Sequence, residues 1–191
     1  KAAVRFAAKE DHSGIKYDTE KIEELKAMIL KPLDTFAANK DKTTQADVNP
    51  HYILPKMFMM RLQKLMDEYA GGVSAQFCTS KANLERALEL LAFLKEDAEK
   101  LGASNLHDLM RCWENYHRTF QAEAHVRSIL FREETRWPGY YFRSDTPKMD
   151  EKNWHCFVNS VYSAATDKWQ MKKVPIAHVF EPAKEHELLG G

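Results

Sequence analysis

The sequence predicts a mainly α-helical fold, a bundle of three to four long helices with a small C-terminal antiparallel β-hairpin. Three observations lead there. Apolar residues recur at steps of three and four in successive stretches separated by Gly, Pro or polar runs, the mark of amphipathic helices sharing a core. That periodicity stops in the run Phe131-Arg-Glu-Glu-Thr-Arg-Trp-Pro-Gly-Tyr-Tyr-Phe-Arg143, whose Pro138-Gly139 pair suits neither a helix nor a central strand. Beyond Trp154, two segments rich in β-branched and aromatic residues take over.

In chain order, Lys1 to Ala8 lacks an initiator Met and reads as the tail of a helix already under way, so a segment of a longer chain is expected. Lys9 to Tyr17, with Gly14, reads as a connector. Asp18 or Thr19 suits the cap of a first helix whose Glu20, Glu23 and Glu24 favour the positive end of its dipole. Ile22, Leu25, Ile29, Leu33 and Phe36 make its apolar stripe, and Pro32 is expected to bend it or end its regular part. Ala37 to Val48 turns polar and reads as a surface loop, mobile or functional.

Asn49-Pro50 suits a helix start, delayed a turn by Pro55. Phe58, Leu62, Leu65, Met66 and Tyr69 then form a face that Gly71-Gly72 stops, and Met57, Met59 and Met60 around it are expected to fill core. Ser80 caps a third helix with Leu84, Ala87, Leu88, Leu91, Leu94, Ala98 and Leu101 as a stripe, ended by Lys100 and Gly102. Ser104 or Asn105 opens the longest helix, with Leu106, Met110, Trp113, His117, Phe120, Ala124 and Phe131 as its predicted apolar line. His155 to Tyr162 and Trp169 to Val174 form the hairpin, which needs a packing partner because an isolated one is marginal. Pro175 ends or edges the second strand, Ile176 to Phe180 offers a further strand, and the tail from Glu181 is expected to be flexible. The organisation is thus 1–17 as the end of a preceding domain with a connector, 18–145 as bundle, 146–180 as hairpin extension and 181–191 as tail.

Composition excludes several function classes. Lys plus Arg and Asp plus Glu both count 28, so no overall field recruits nucleic acid or an anionic membrane. No apolar run approaches the roughly 20 residues of a membrane span, so no membrane insertion is expected. Cys78, Cys112 and Cys156 are dispersed and odd in number, which favours a reducing cytoplasm over a disulfide framework. The seven glycines cannot build a GxGxxG or a P-loop, so no cofactor-binding residue is assigned. No CxxC is present, and Cys112 with His117, or His155 with Cys156, supplies two ligands where a structural zinc wants four, so no metal ligand is assigned. Cys112 and His117 read as core residues beside Trp113 and Tyr116. No catalytic residue is assigned, and Glu133-Glu134 and Asp150-Glu151 read as solvated charges or salt-bridge partners.

Arg132, Arg136 and Arg143, with Trp137, Tyr140 and Tyr141, form an arginine-aromatic corner open to two readings. Guanidinium forks and rings suit an anionic ligand, and they equally suit a protein contact. Neutral net charge and the compactness of the cluster favour the interface. A single-stranded nucleic acid ranks third, because no basic groove tracks a backbone.

The strings Asn49 to Gly72 (NPHYILPKMFMMRLQKLMDEYAGG), Leu106 to Arg118 (LHDLMRCWENYHR) and Phe131 to Ser160 (FREETRWPGYYFRSDTPKMDEKNWHCFVNS) closely resemble the C-terminal part of the dissimilatory adenylylsulfate reductase flavoprotein alpha subunits. These are relatives of the fumarate reductase and succinate dehydrogenase flavoproteins. The resemblance implies a helical domain packed on an FAD-binding domain of the same subunit, and a cytoplasmic enzyme reducing adenylylsulfate to sulfite and AMP or running the reverse. It further implies an iron-sulfur beta subunit with [4Fe-4S] clusters as electron partner, and adenylylsulfate or AMP bound elsewhere. A Ser-Arg-Gly-Ala-His string of the dicarboxylate enzymes is replaced here by Glu123-Ala-His-Val-Arg127, which makes dicarboxylate chemistry the weaker expectation. A free-standing helical interaction module, or a hydrolase with a triad assembled across helices, are the competing classes.

Overall fold

The computed structural model describes residues 1–9, 17–42, 49–137, 139 and 141–176. Gly14, Pro138, Tyr140, the further strand expected after Ile176 and the tail from Glu181 therefore lie outside the described residues, as do 43–48 of the expected loop. Among the described residues the fold is mainly helical and closes with a two-stranded antiparallel sheet, as expected.

Helix α1 (Ala2–Lys9) buries none of its residues. Helix α2 (Thr19–Asn39) is capped by Asp18, whose carboxylate accepts the Lys21 amide at 2.9 Å. Pro32 does not end it: the helix runs on to Asn39, three residues into the expected loop, and Pro32 is its one buried residue. The proline sits where the helix meets the bundle. Its carbonyl accepts the Ala103 amide at 2.8 Å, and the Trp113 indole donates to the Ile29 carbonyl at 3.0 Å, one residue past the carbonyl that loses its donor to the ring. At the far end the Asn49 side chain donates to the Asn39 carbonyl at 2.9 Å.

Helix α3 (Pro55–Tyr69) begins at Pro55 itself, not near Asn49, whose side chain instead accepts the His51 amide in a turn. Phe58, Leu62 and Leu65 are buried, while Met57 and Met60 are about half exposed and so are not the core filler expected of them. They flank the stripe set by the buried residues. After Gly71, at φ +82°, the short strand β1 (Cys78–Thr79) leads to α4 (Lys81–Ala98), capped by Ser80. Its predicted stripe is the centre of the molecule: Leu84, Ala87, Leu91, Leu94 and Ala98 are all buried, between α3 and the long α5 (Leu106–Phe131). An isolated parallel bridge joins Ile53 to Leu101, and Gly102 lets the chain pass within 2.9 Å of the Tyr52 ring as measured from an added Cβ.

Helix α5 spans about 39 Å at 1.5 Å per residue, close to expectation, but its predicted face is wrong. Leu106 is 72% exposed, and Met110, His117 and Phe120 also face outward. The buried line is Leu109, Cys112, Asn115, Thr119, Ala122, Glu123 and Val126. Its polar members hide it from a hydrophobicity count: Thr119 donates to the Asn115 carbonyl, Asn115 donates to the Pro55 carbonyl, and Glu123 pairs with Arg127 and Lys95. Cys112 is a core residue as expected, its thiol pushed up to about 12 by burial, whereas His117 is a surface residue beside Trp113.

Beyond α5, strand β2 (Phe142–Arg143) pairs in parallel with β1, a pairing the sequence analysis did not foresee. The short α6 (Glu151–Trp154) follows, then β3 (Cys156–Ser163) and β4 (Lys168–Pro175), antiparallel with Tyr162 opposite Trp169. The hairpin packs on the bundle through Phe120, whose ring centroid lies 4.9 Å from Tyr162 and 4.8 Å from Trp169. Pro175 ends β4.

Candidate functional site: the arginine-aromatic corner

The corner forms where α5 runs out. A helix leaves its last carbonyls unbonded, and here one side chain collects them. The Arg143 Nη1 donates to the carbonyls of Ile129 at 2.7 Å and Arg132 at 3.2 Å, while Nε and Nη2 grip Asp145 at 2.8 and 2.5 Å. Its side chain is 1% exposed. Strand β2 holds it there: Phe142 and Ser144 donate their amides to the carbonyls of Phe77 and Thr79, and the Thr135 hydroxyl accepts the Arg143 amide at 2.9 Å. The Arg143 hydrogen bond holds the Asp145 carboxyl below its ordinary range.

Glu134 is the second centre. Fully buried, it accepts from Arg132, from Arg136 at 2.8 Å and from the Asp150 amide at 2.8 Å. Burial pushes its pKa up, but those hydrogen bonds outweigh burial and leave the carboxyl below its ordinary 4.5. Arg132 reaches on to the carbonyls of Trp154 and Cys156, and Arg136 to Glu151 at 2.7 Å, so one carboxylate ties the end of α5 to α6 and to the first residue of the hairpin. Trp154 is sandwiched by Phe131, 5.6 Å away in a T-shaped contact, and by the Lys173 ammonium 3.5 Å above its ring.

The three arginines are thus brought together, each with its donors engaged by this chain's own carboxylates and carbonyls. Trp137 stands 70% exposed at the outer edge, Tyr141 is half-buried with its hydroxyl pushed up to about 12 by burial, and Tyr140 lies outside the described residues. Glu134 and Glu151 are ion-pair partners, and Asp150 caps α6; Glu134 is buried where a solvated charge was the other expectation. The alternation of Arg and Glu between 132 and 136 was the available signal for this network.

A second feature was only half legible. Along the outer side of α2, Ile22, Leu25, Met28, Ile29 and Leu30 are 37% to 50% exposed, a continuous apolar surface over the first half of the helix. An open cavity of about 770 Å³ lies at the end of α3 by Gly71, Gly72 and His125, where the Asp67 carboxylate is already occupied by the Ser74 amide at 3.1 Å. Among the described residues no helix is long and apolar enough to cross a membrane.

The fold is that of a flavoprotein's C-terminal region: residues 59–187 match the family model described as fumarate reductase flavoprotein C-term, and the chain belongs to that family. Within it, the chain is 46% identical over 166 residues to adenylylsulfate reductase subunit alpha of Megalodesulfovibrio gigas, covering 86% of this chain and 25% of that protein. It superposes on the adenylylsulfate reductase structure from Archaeoglobus fulgidus with a TM-score of 0.84 and 52% identity, over 94% of this chain and 28% of that one. An adenosine-5-phosphosulfate reductase solved with sulfite as a covalent adduct gives 0.83 and 54%, over 87% of this chain and 26% of that one. The Mycobacterium smegmatis Sdh1 structure, at 17% identity and a TM-score of 0.67 over 91% of this chain and 26% of that one, shares the fold. The chain spans about a quarter of the length of the relatives it matches.

Proposed function

We propose that this chain is the helical closing part of an adenylylsulfate reductase alpha subunit in the cytoplasm, and that it supplies packing surface to the enzyme while FAD and substrate are held elsewhere. With FAD bound by the preceding domain, the subunit interconverts adenylylsulfate with sulfite and AMP, taking electrons from an iron-sulfur beta subunit that carries the [4Fe-4S] clusters. The residues here do not fit the flavin: close approach to a pyrophosphate needs clustered glycines, and Gly71-Gly72 serve a helix end. No step of the reaction is assigned to them.

The observation that carries this reading is the apolar surface of α2. Ile22, Leu25, Met28 and Ile29 lie at helical spacing, on a helix that meets the bundle only from Ile29 and Pro32 onward. The FAD-binding domain of the same subunit is its occupant. Trp137 and the hairpin then face the beta subunit, with Arg132, Arg136 and Arg143 as the rigid support beneath the contact and not as the contact itself, a role consistent with their engaged donors. Large aromatic anchors on a rigid base are what protein interfaces favour.

Expression of residues 1–191 alone tests the reading. A covering domain binds an apolar dye and self-associates, and both effects fall when Leu25 and Ile29 are changed to Gln. A monodisperse monomer that melts cooperatively without dye binding identifies a free-standing module instead.

A further inference from the structure

The hairpin of β3 and β4 has two unequal edges. Among the described residues its sheet holds only these two strands, and no backbone group from outside it meets the stretch from Phe157 to Tyr162. In an antiparallel pair every second residue turns its N–H and C=O away from the partner, so β3 presents a row of unpaired donors and acceptors along its free side. Edge strands are ordinarily defended by charge, proline or a bulge. Strand β4 is so defended: Lys168, Lys172 and Lys173 lie along it and Pro175 ends it. Strand β3, Cys156–Ser163, holds no charged residue, no proline and no glycine, and its register with β4 runs without a bulge. A long, uncharged open edge of this kind calls for a third strand.

The side chains define what that strand must carry. Tyr162 and Trp169 touch Phe120, and Lys173 lies over Trp154, so the even-numbered residues of β3 face the bundle and the odd-numbered ones face away. The outward face carries Phe157, 57% exposed, and Val161, 45% exposed, with Asn159 between them. Opposite Asn159 on β4 stands Lys172, exposed and with no ion-pair partner among the described residues. The bundle does not cover the middle of β3, since Ser160 on the inner face is exposed as well.

We propose that the free edge of β3 accepts an extended segment of the beta subunit as a third strand, its residues opposite Phe157 and Val161 apolar and the one opposite Asn159 acidic. Neighbouring strands lie about 4.8 Å apart, so a carboxylate on one side of Asn159 and the Lys172 ammonium on the other meet across that short side chain. Phe157 and Val161 gain apolar cross-strand neighbours. A second copy of β3 fits less well: it holds no acid, and antiparallel pairing about Asn159 leaves Lys172 without a carboxylate. The proposal rests on the reading above, in which the hairpin faces the beta subunit. It adds the mode of contact, with main-chain bonds supplying affinity and alternate side chains supplying specificity.

The test follows residue-resolved hydrogen exchange of the full-length alpha subunit, alone and in complex with the beta subunit. It also measures beta-subunit affinity for wild type, Val161→Lys and Lys172→Glu, both changes at exposed side chains. Every second amide from Phe157 to Tyr162 exchanges fast in the free subunit and is expected to slow about a hundredfold or more in the complex. Affinity is expected to fall about tenfold for Val161→Lys and about fivefold for Lys172→Glu. Outward amides of β3 that stay fast in a complex shielding other parts of the hairpin overturn strand addition and leave the underlying reading standing. No change anywhere in residues 156–175 overturns both. Equal affinity of wild type and both variants overturns the proposal, and so does slowing of the same amides in the alpha subunit alone as its concentration rises, which identifies a second copy as the occupant.

Discussion

The guanidinium of Arg143 stands 2.7 Å from the carbonyl of Ile129 and closes the C-terminal end of α5 from a strand fourteen residues further along the chain. A cation at this end of a helix answers both the unbonded carbonyls and the negative end of the dipole. Arg143→Ala removes that cap inside a dry site, so the free energy of opening the last turn of α5 is expected to fall by about 3 kcal/mol or more. Native-state hydrogen exchange on residues 128–132 measures it. Arg143→Lys recovers only part of the loss, because an ammonium cannot hold Asp145 through two parallel bonds and reach the carbonyls as well.

Glu134 links the bundle to the hairpin, and its removal leaves two guanidiniums short of their shared carboxylate. Glu134→Gln is expected to cost about 3 to 5 kcal/mol, the usual price of breaking a buried pair. The effect has a definite pH sign. The folded pKa lies below 4.5, so the stabilisation is complete above the unfolded value near 4.5 and is lost as pH falls through the folded value. Acid unfolding followed by circular dichroism should show that component in the wild type and not in the variant.

Phe120 holds the far end of the hairpin by two ring contacts, while Arg132 and Lys173 hold its near end. Phe120→Ala is expected to weaken that docking by about 2 kcal/mol, since the ring is partly exposed and its loss falls short of a full core deletion. Limited proteolysis in 164–167 should accelerate while α3 to α5 stay resistant, and Trp169 fluorescence should shift to the red.

Gly102 is set by close approach, not by backbone conformation. A Cβ there would lie 2.9 Å from the Tyr52 ring, so Gly102→Ala forces Tyr52 away from its edge contact with Phe36 and costs about 1 to 3 kcal/mol. Thermal unfolding of the variant beside Tyr52→Ala, which removes the Cγ and Cδ2 atoms that the added Cβ meets, separates crowding from any other effect.

Legibility in the sequence followed the chemistry of each face. The stripe of α4 was readable because its buried side chains are all apolar, and the caps were legible too, Ser80 outright and Asp18 and Asn105 each as one of two neighbouring candidates. On α5 the same reading chose the wrong side: Leu106, Met110 and Phe120 outweigh Asn115, Thr119 and Glu123 on any hydrophobicity scale, although the polar trio is what lies inside. Polar core positions become visible only with their partners, and Pro55 and Lys95, which meet Asn115 and Glu123, lie on other helices. The corner was found as a cluster of residue types, but its logic was not, because Arg143 meets Ile129 only after β2 pairs with β1, and two-residue strands carry no period. Pro32 was read as bending the helix or ending its regular part, for want of knowing that Ala103 and Trp113 would use the backbone around it.

In the proposed function, the outer face of α2 closes on the rest of the subunit. Hydrogen exchange of the amides of residues 22–30, compared between the full-length subunit and residues 1–191 alone, addresses it directly. Slow exchange is expected in the full subunit and exchange faster by about a hundredfold or more in the isolated chain, as a helix stripped of tertiary cover frays. Equal rates in the two would contradict it, because the apolar side of α2 would then be a free surface in the complete protein.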